Sequence, residues 1–259
     1  MLAKMRSNLI FPIVVLLAMN FWACSPLQNP EMPILANMVV IPAGWFWMGS
    51  DGGKPSNRPL RYIYLDAFAI DRTEVTVGSF RRFLDEHQDV DPTLASVVIT
   101  SNPNDPVSGV TWEVADGFCR WMGKRLPTEA EWEKAARGSD GRIYPWGDEW
   151  DTRYANTLEN GENHVVPVGS YPHAESPYGV LDMCGNAVEW IADYFDPVYY
   201  DYGPRVNPRG PSEILDHGLR GGSWDSTADQ ATTYFRNSSH SILHDERVGF
   251  RCARSIYPQ

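Results

Sequence analysis

The long stretch that follows Gly138 constrains the fold more than any other feature of this sequence. From Tyr144 to Gln259 the chain consists of short segments separated by Gly, Pro, Asn and Asp, and none of them has the periodicity of a long helix. The whole chain of 259 residues contains 10 Trp, 12 Tyr, 21 Gly and 20 Pro. This composition predicts a loop-rich fold with an aromatic core and excludes a helical bundle.

Regular elements are predicted in the first half of the chain. Residues 38–48 and 61–69 show strand patterns, and two helices are predicted over 76–86 and 114–123. A third helix follows a capping box in which Thr128 and Glu131 serve each other's backbone amides, and it should end at Gly138. Helices placed before a long irregular β region predict one α+β domain over residues 37–259.

The N-terminus resembles an export signal. Lys4 and Arg6 precede a short apolar run that ends at Ala23, and Cys24 lies where the lipidated cysteine of a bacterial lipoprotein would lie. We therefore expect a signal peptide over 1–23 and a Pro-containing tether over 24–36, which would give a membrane-anchored protein of the cell envelope. Plain secretion and an uncleaved anchor remain alternatives.

Charge and cysteine content exclude several classes of function. The formal net charge is −11, which argues against nucleic acid as a partner because phosphate binding needs a basic face. After removal of the signal, Cys119, Cys184 and Cys252 remain, and an odd number cannot pair completely within the chain. We interpret Cys119 and Cys252 as small buried core residues. No C-x-x-C motif indicates structural zinc.

A series of motifs resembles the formylglycine-generating enzyme, or sulfatase-modifying factor, family. The most specific is Gly-Lys-Arg-Leu-Pro-Thr-Glu-Ala-Glu-Trp-Glu at 123–133. It is accompanied, in the family's order, by Tyr-Pro-Trp-Gly at 144–147, Gly-Asn-Ala-Val-Glu-Trp at 185–190, Arg-Gly-Gly-Ser-Trp at 220–224 and Val-Gly-Phe-Arg at 248–251. The resemblance implies a single-domain, C-type-lectin-like fold with little regular secondary structure.

The resemblance also locates the copper ligands of the oxidase members, and this chain departs from them. Those enzymes carry two cysteines after the Gly-Gly-Ser-aromatic motif, and the corresponding positions here are Ser226 and Ala231. A hydroxyl and a methyl group cannot replace two thiolates around Cu(I), which is a soft cation. We therefore expect no copper, no catalytic residues for cysteine oxidation and no formylglycine-generating activity.

Calcium is the cofactor that the resemblance favours. Asp182, Gly185, Ala187 and Glu189 match a calcium-binding loop of the family, with two carboxylates and two main-chain carbonyls as hard oxygen donors. A second site would begin at Asn156 and Thr157, although its third ligand cannot be placed. The alternative is a loop that folds without metal.

The segment 225–246 matches the family at its boundaries and differs inside. The segment is rich in small polar residues, with a few aromatic and basic residues among them, as in a paratope. We therefore predict ligand binding, to a protein or a glycan, through Trp224, Asp225, Ser226, Tyr234, Phe235, Arg236, His240 and His244. Some lipoproteins of this fold carry retroelement-diversified residues in this segment, which is a further hypothesis here. The alternatives are a surviving oxidase, an accessory lipoprotein of an envelope machine and a surface loop without ligand.

Overall fold

The computed structural model describes residues 37–86, 100–212, 215–242 and 244–256. The predicted signal peptide, Cys24 and the tether lie outside these ranges. Among the described residues, no helix combines the length and the apolar character needed to cross a membrane.

Nine short strands and four α-helices are found in the described residues, which confirms the α+β prediction. The strands are β1 (Met38–Ile41), β2 (Gly44–Met48), β3 (Arg61–Leu65), β4 (Phe68–Asp71), β5 (Val188–Tyr194), β6 (Asp216–Arg220), β7 (Asn237–His240), β8 (Val248–Phe250) and β9 (Ala253–Ser255). The helices are α1 (Val77–Glu86), α2 (Trp112–Trp121), α3 (Glu129–Arg137) and the one-turn α4 (Tyr199–Tyr202).

The described strands form three small sheets. Their orders are β1-β4-β9, β2-β3 and β7-β6-β5-β8, and all pairs are antiparallel except β5-β8. The single strand predicted over 61–69 is divided at Asp66 and Ala67, so β3 pairs with β2 while β4 pairs with β1. This break was not predicted because the alternation of apolar residues continues through it.

Helix α3 begins and ends as predicted. The Thr128 hydroxyl accepts from the Glu131 amide, the Glu131 carboxylate accepts from the Thr128 amide at 2.8 Å, and Gly138 ends the helix with φ of 72°. Every residue of α3 is buried, because the helix packs between β2 on one side and β5 and β6 on the other. The predicted second helix begins two residues early, at Trp112, because Thr111 caps it.

Two of the cysteines interpreted as core thiols form a disulfide. Cys119 in α2 and Cys252, directly before β9, are joined across 133 residues of chain, and both are fully buried. Their burial was expected, whereas their pairing was not, because an odd cysteine count does not show which residues meet. Cys184 is the free cysteine of the described residues.

Candidate functional site

A polar cleft of about 440 Å³ lies beside β7, between the turn at residues 222–226 and the segment 245–248. Hydroxyl, amide and charged side chains line most of it, and Phe235 and Leu219 supply apolar surface. The lining residues are Lys54, Val188, Leu219, Gly222, Ser223, Asp225, Ser226, Gln230, Phe235, Asn237, Ser238, Ser239, Asp245, Arg247 and Val248. The cleft can therefore offer many hydrogen bonds to a polar ligand.

Three charged residues form one side of the cleft. Arg247 Nη1 donates to Asp225 Oδ2 at 3.0 Å, and its Nη2 donates to Asp245 Oδ2 at 2.6 Å. The hydrogen bonds from Arg247 lower the pKa of Asp245, so the Asp245 carboxylate remains charged at neutral pH. Asp225 and Arg247 are each more than 40% exposed, so this group can exchange its contacts for contacts with a ligand.

Lys54 covers the aromatic floor of the cleft. Its ammonium lies 4.0 Å from the centre of the Phe235 ring, a cation–π contact between residues 181 positions apart. Sequence reasoning found Asp225, Ser226 and Phe235 but missed Lys54, Asn237, Ser239, Asp245 and Arg247. The predicted segment 225–246 already contained Asn237, Ser239 and Asp245, but no local signal distinguishes their cleft-lining side chains from their neighbours.

Arg236 is not a surface contact, contrary to the prediction from its segment. It is 1% exposed, and its guanidinium donates to both carboxylate oxygens of Glu129, at 2.7 and 3.0 Å. The guanidinium also lies 4.0 Å from the centre of the Tyr200 ring. Arg220 and Glu133 continue this buried network through a 2.5 Å hydrogen bond. Arg236 therefore anchors the segment to α3 and cannot reach a ligand.

The other predicted contacts lie around the cleft but do not line it. Trp224 and Tyr234 are partly buried. The guanidinium of Arg137 lies over the Tyr234 ring, 5.5 Å from the centre of that ring. His240 is exposed at the end of β7. His244 is exposed, and its Nδ1 lies 3.1 Å from the carbonyl oxygen of Gly109.

The two positions that correspond to the copper ligands meet in space. A Cβ built on Gly222, whose φ is 69°, would lie 3.1 Å from both Ser226 Cβ and Ala231 Cα, so these residues flank the same point. Ser226 Oγ accepts from the Ser223 amide at 2.9 Å, and Ala231 is fully buried. A hydroxyl and a methyl group at this point do not fit Cu(I), which prefers thiolates.

Cys184 does not replace the missing thiolates. It packs in an apolar cluster with Tyr144, Ala155 and Ala231, and it is 3% exposed. Burial raises the pKa of its thiol far above the ordinary value, so the neutral form persists at any physiological pH.

The Glu189 carboxylate does not fit its predicted role as a calcium ligand. Arg251 Nε and Nη2 donate to Oε1, and Arg251 Nε and Trp132 Nε1 donate to Oε2, at distances of 2.7 to 3.0 Å. These four contacts use the acceptor sites of both oxygens, and the Arg251 guanidinium already balances the charge. Asp182 is also engaged, since its Oδ2 accepts from the Gly169 amide at 2.7 Å.

The second predicted calcium position fits an oxygen-binding cation better. Asn156 Oδ1 and Thr157 Oγ1 are buried and have no hydrogen-bond partner among the described residues. Buried acceptors without partners are costly, and a hard cation is one way to satisfy them. Asn156 is held in place because its Nδ2 donates to the carbonyl of His164 at 2.8 Å.

Comparison with known proteins identifies the family. The family's sequence model, described as the sulfatase-modifying factor enzyme 1-like domain, matches residues 26–256 of this chain. The chain belongs to this family. The predicted resemblance is thereby confirmed, as is the mixed helix and sheet fold that the family shares.

The proteins most similar in sequence include both a formylglycine-generating enzyme and a protein kinase. The chain is 42% identical to the formylglycine-generating enzyme of Streptomyces coelicolor over 172 residues, which are 60% of this chain and 54% of that protein. It is 34% identical to the serine/threonine-protein kinase pkn1 of Chlamydia caviae over 244 residues, 86% of this chain but 39% of the kinase. The chain thus spans well under half the length of that relative.

A solved structure has the same fold. PvdO from Pseudomonas aeruginosa superposes with a TM-score of 0.73 at 29% identity, covering 85% of this chain and 94% of PvdO. The fold is therefore shared over most of this chain and nearly all of PvdO.

Proposed function

We propose that this sulfatase-modifying factor domain is a binding module without oxidase activity, and that the polar cleft beside β7 holds its ligand. The observation that carries the proposal is the pair Ser226 and Ala231 at one point of the structure. They stand where the resemblance places two copper-binding cysteines, next to an open cleft lined by hydrogen-bonding side chains. A site that lacks redox ligands but keeps its cleft is suited to recognition.

The proposal is tested with a variant that fills the cleft. Asn237 is exposed on the outer strand β7 and lines the cleft, so Asn237→Trp should block it without disturbing the core, while Asn237→Ser should leave it open. We expect an immobilised panel of oligosaccharides and peptides to contain a probe that the wild type and Asn237→Ser bind and Asn237→Trp does not. Identical binding by all three proteins would overturn the proposal.

The oxidase alternative has its own assay. The protein is incubated with Cu(I) and a Cys-x-Pro-x-Arg peptide, and the peptide mass is followed, with the Streptomyces coelicolor enzyme as the positive control. We expect no aldehyde product from this chain. Aldehyde formation that depends on Ser226 or Ala231 would instead establish an oxidase with unusual ligands.

We also propose that calcium binds at the Asn156 position and not at Glu189. The support is the pair of buried oxygens without partners at Asn156 and Thr157, set against the fully occupied Glu189 carboxylate. Calcium should then raise the melting temperature of the wild type, and Asn156→Ala should abolish that increase. A calcium-dependent increase that survives in Asn156→Ala would contradict this assignment.

We further propose that the protein is exported and lipid-anchored through Cys24. The support is the charged N-terminus, the short apolar run and the small residue that precede this cysteine. Metabolic labelling with a radioactive fatty acid should mark the wild type and leave Cys24→Ala unmarked. Labelling of both proteins would refute the anchor at this position.

A further inference from the structure

A compact aromatic cluster covers the outer side of the β2-β3 sheet. Trp45, Trp47 and Tyr62 are 45%, 41% and 40% exposed, and Tyr64 beside them is partly exposed. The antiparallel register pairs Trp47 with Tyr62 and Trp45 with Tyr64. Trp45 also stacks on Tyr62, with 5.3 Å between the ring centroids. The four rings therefore form one patch, which we call the aromatic face.

A neighbouring segment extends the aromatic face. Val206 forms a parallel bridge with Tyr64, so its side chain lies on the same side of the sheet, where it is 53% exposed. The opposite side of the sheet is buried in the core through Phe46 and Ile63. An antiparallel sheet with one side in the core ordinarily has a polar outer side, and this sheet does not. Exposed apolar surface of this kind indicates a contact site.

The polar groups of the aromatic face are available to a partner. Its two indole N–H groups and two tyrosine hydroxyls make no hydrogen bond with any residue that the structure describes. By contrast, the indole N–H groups of Trp132 and Trp190, which lie in the core, donate to acceptors within the protein. Apolar rings with a polar tip suit the boundary between hydrocarbon and water, where Trp and Tyr are enriched.

The charge of the molecule restricts the kind of surface that the aromatic face can meet. None of the five side chains of the face is charged, whereas the whole chain has a formal net charge of −11. An anionic surface would repel such a chain. A contact here has to come from the burial of apolar area, at a surface without net charge.

The size of the aromatic face argues against a second copy of this chain as its occupant. An exposed fraction of two-fifths corresponds to about 100 Å² for each ring, so the whole face offers about 300–400 Å². A stable protein–protein interface buries about 800 Å² on each partner. A contact between a tethered domain and a bilayer needs less area, because the tether keeps the two surfaces at a high effective concentration.

The proposed lipid anchor brings the aromatic face within reach of a bilayer. Residues 25–36 follow Cys24 and can span at most about 40 Å. The first strand begins at Met38, and Trp47 lies at most about 30 Å farther along the two consecutive strands β1 and β2. The tether is therefore longer than the distance between the start of β1 and the face.

We propose that the aromatic face lies on the surface of a zwitterionic lipid bilayer, with the Trp45 and Trp47 rings at the boundary between headgroups and acyl chains. This inference rests on the proposed lipid anchor and adds a second, non-covalent contact with the same membrane. Two points of attachment hold the domain in one orientation, whereas a tether alone leaves it free to rotate.

Fluorescence quenching by brominated lipid tests the inference. The full chain is expressed with its own N-terminus, extracted in detergent and reconstituted with phosphatidylcholine vesicles whose acyl chains are either plain or brominated. Bromine quenches indole fluorescence at short range, so the wild type should be dimmer in the brominated vesicles. Two of the ten tryptophans lie on the aromatic face, so the loss due to them should be up to about a fifth of the emission.

A charge on the aromatic face should abolish this loss without removing a tryptophan. Tyr62→Glu places a carboxylate against Trp45 and Trp47, and Val206→Glu places one at the edge of the face, outside the β2-β3 pair. Leu215→Glu is the matched control, because it adds the same charge at an exposed apolar side chain elsewhere and should be quenched like the wild type. Melting temperatures verify that each variant is folded.

Vesicle flotation separates failure of the inference from failure of the anchor. The inference is wrong if the protein floats with the vesicles but is equally bright in plain and brominated lipid. It is also wrong if the quenching survives in both Tyr62→Glu and Val206→Glu. If the protein does not float with the vesicles, the anchor is wrong and the inference falls with it. None of these outcomes affects the cleft, which Asn237→Trp tests separately.

Discussion

Two arginines, one within the segment 225–246 and one directly after it, look alike in sequence but differ in burial. Arg236 pairs with Glu129 in the core, where both side chains are less than 5% exposed. Arg247 pairs with Asp225 at the surface, where both are more than 40% exposed. A buried charge depends on its partner far more than an exposed one, because water cannot replace the lost contact.

Replacing these arginines should therefore have very different effects on stability. Arg236→Met leaves the Glu129 charge buried without this partner and should lower the free energy of unfolding by about 3–5 kcal/mol. Arg247→Met breaks an exposed pair and should cost less than about 1 kcal/mol. Urea unfolding of both variants checks this, and equal costs would contradict the structural role of Arg236.

His217 gives the stability a dependence on pH. Its ring lies between Trp112 and Tyr194, at centroid distances of 3.9 and 4.3 Å, and its Nδ1 has no hydrogen-bond partner within the part of the chain that the structure describes. Burial lowers the pKa of His217 below its ordinary value of 6.5, although the Glu113 and Asp216 carboxylates act in the opposite direction. The folded protein therefore holds this proton less tightly than the unfolded chain does.

The stability due to neutral His217 should be complete above about pH 6.5 and should decrease as the pH falls through the lowered pKa. In His217→Phe, which keeps a flat ring but cannot be protonated, the decrease between pH 7 and pH 5 should be smaller. Melting temperatures of both proteins across this range provide the measurement. Parallel curves would show that His217 does not contribute.

At the scale of elements, helix α3 connects the core of the domain to the segment 225–246 beside the cleft. Its N-terminus is fixed locally by Thr128, while its side chains Glu129 and Glu133 hold Arg236 and Arg220 from the later part of the chain. The capping box satisfies backbone amides that would otherwise lack partners in a fully buried helix. A change at the cap should therefore affect the stability of the whole domain.

Thr128→Ala removes the side-chain acceptor of the Glu131 amide and should lower the free energy of unfolding by about 1 kcal/mol. Thr128→Ser keeps a hydroxyl at the cap and serves as the control, with a much smaller loss. Denaturant unfolding of both variants checks the difference. If Thr128→Ala were as stable as Thr128→Ser, the cap would not limit stability.

At the scale of the whole molecule, the Cys119–Cys252 disulfide closes a long part of the chain. It joins α2 to the segment between β8 and β9, and the 133-residue separation encloses the cleft segment 225–246. A crosslink over so many residues restricts the unfolded chain strongly, which stabilises the folded state relative to it.

Removal of this crosslink should cost about 2–5 kcal/mol in Cys119→Ala/Cys252→Ala. Dithiothreitol should lower the melting temperature of the wild type but not that of the double variant, which lacks the bond. Cys184→Ala is the matched control, since it removes the free thiol and should retain the response to dithiothreitol. An unchanged wild type under full reduction would show that the bond does not stabilise the fold.

The sequence by itself determined the local elements, the α+β class and the family. The capping box at Thr128, the stop at Gly138 and the motif at 123–133 are written in neighbouring residues, and hydrogen bonds between neighbours need no distant partner. The absence of cysteine at 226 and 231 could likewise be read from spacing alone.

Only the tertiary structure decided which distant residues meet. It paired Cys119 with Cys252, placed Lys54 over Phe235 and buried Arg236 against Glu129. These contacts join residues more than 100 positions apart, so they depend on how the chain returns to itself and leave no trace in the local periodicity. Packing against distant parts of the chain also decides which residues of the segment 225–246 are buried, as Arg236 is, and which line the cleft, as Asn237 does. Burial depends on the packed molecule and not on neighbours in sequence.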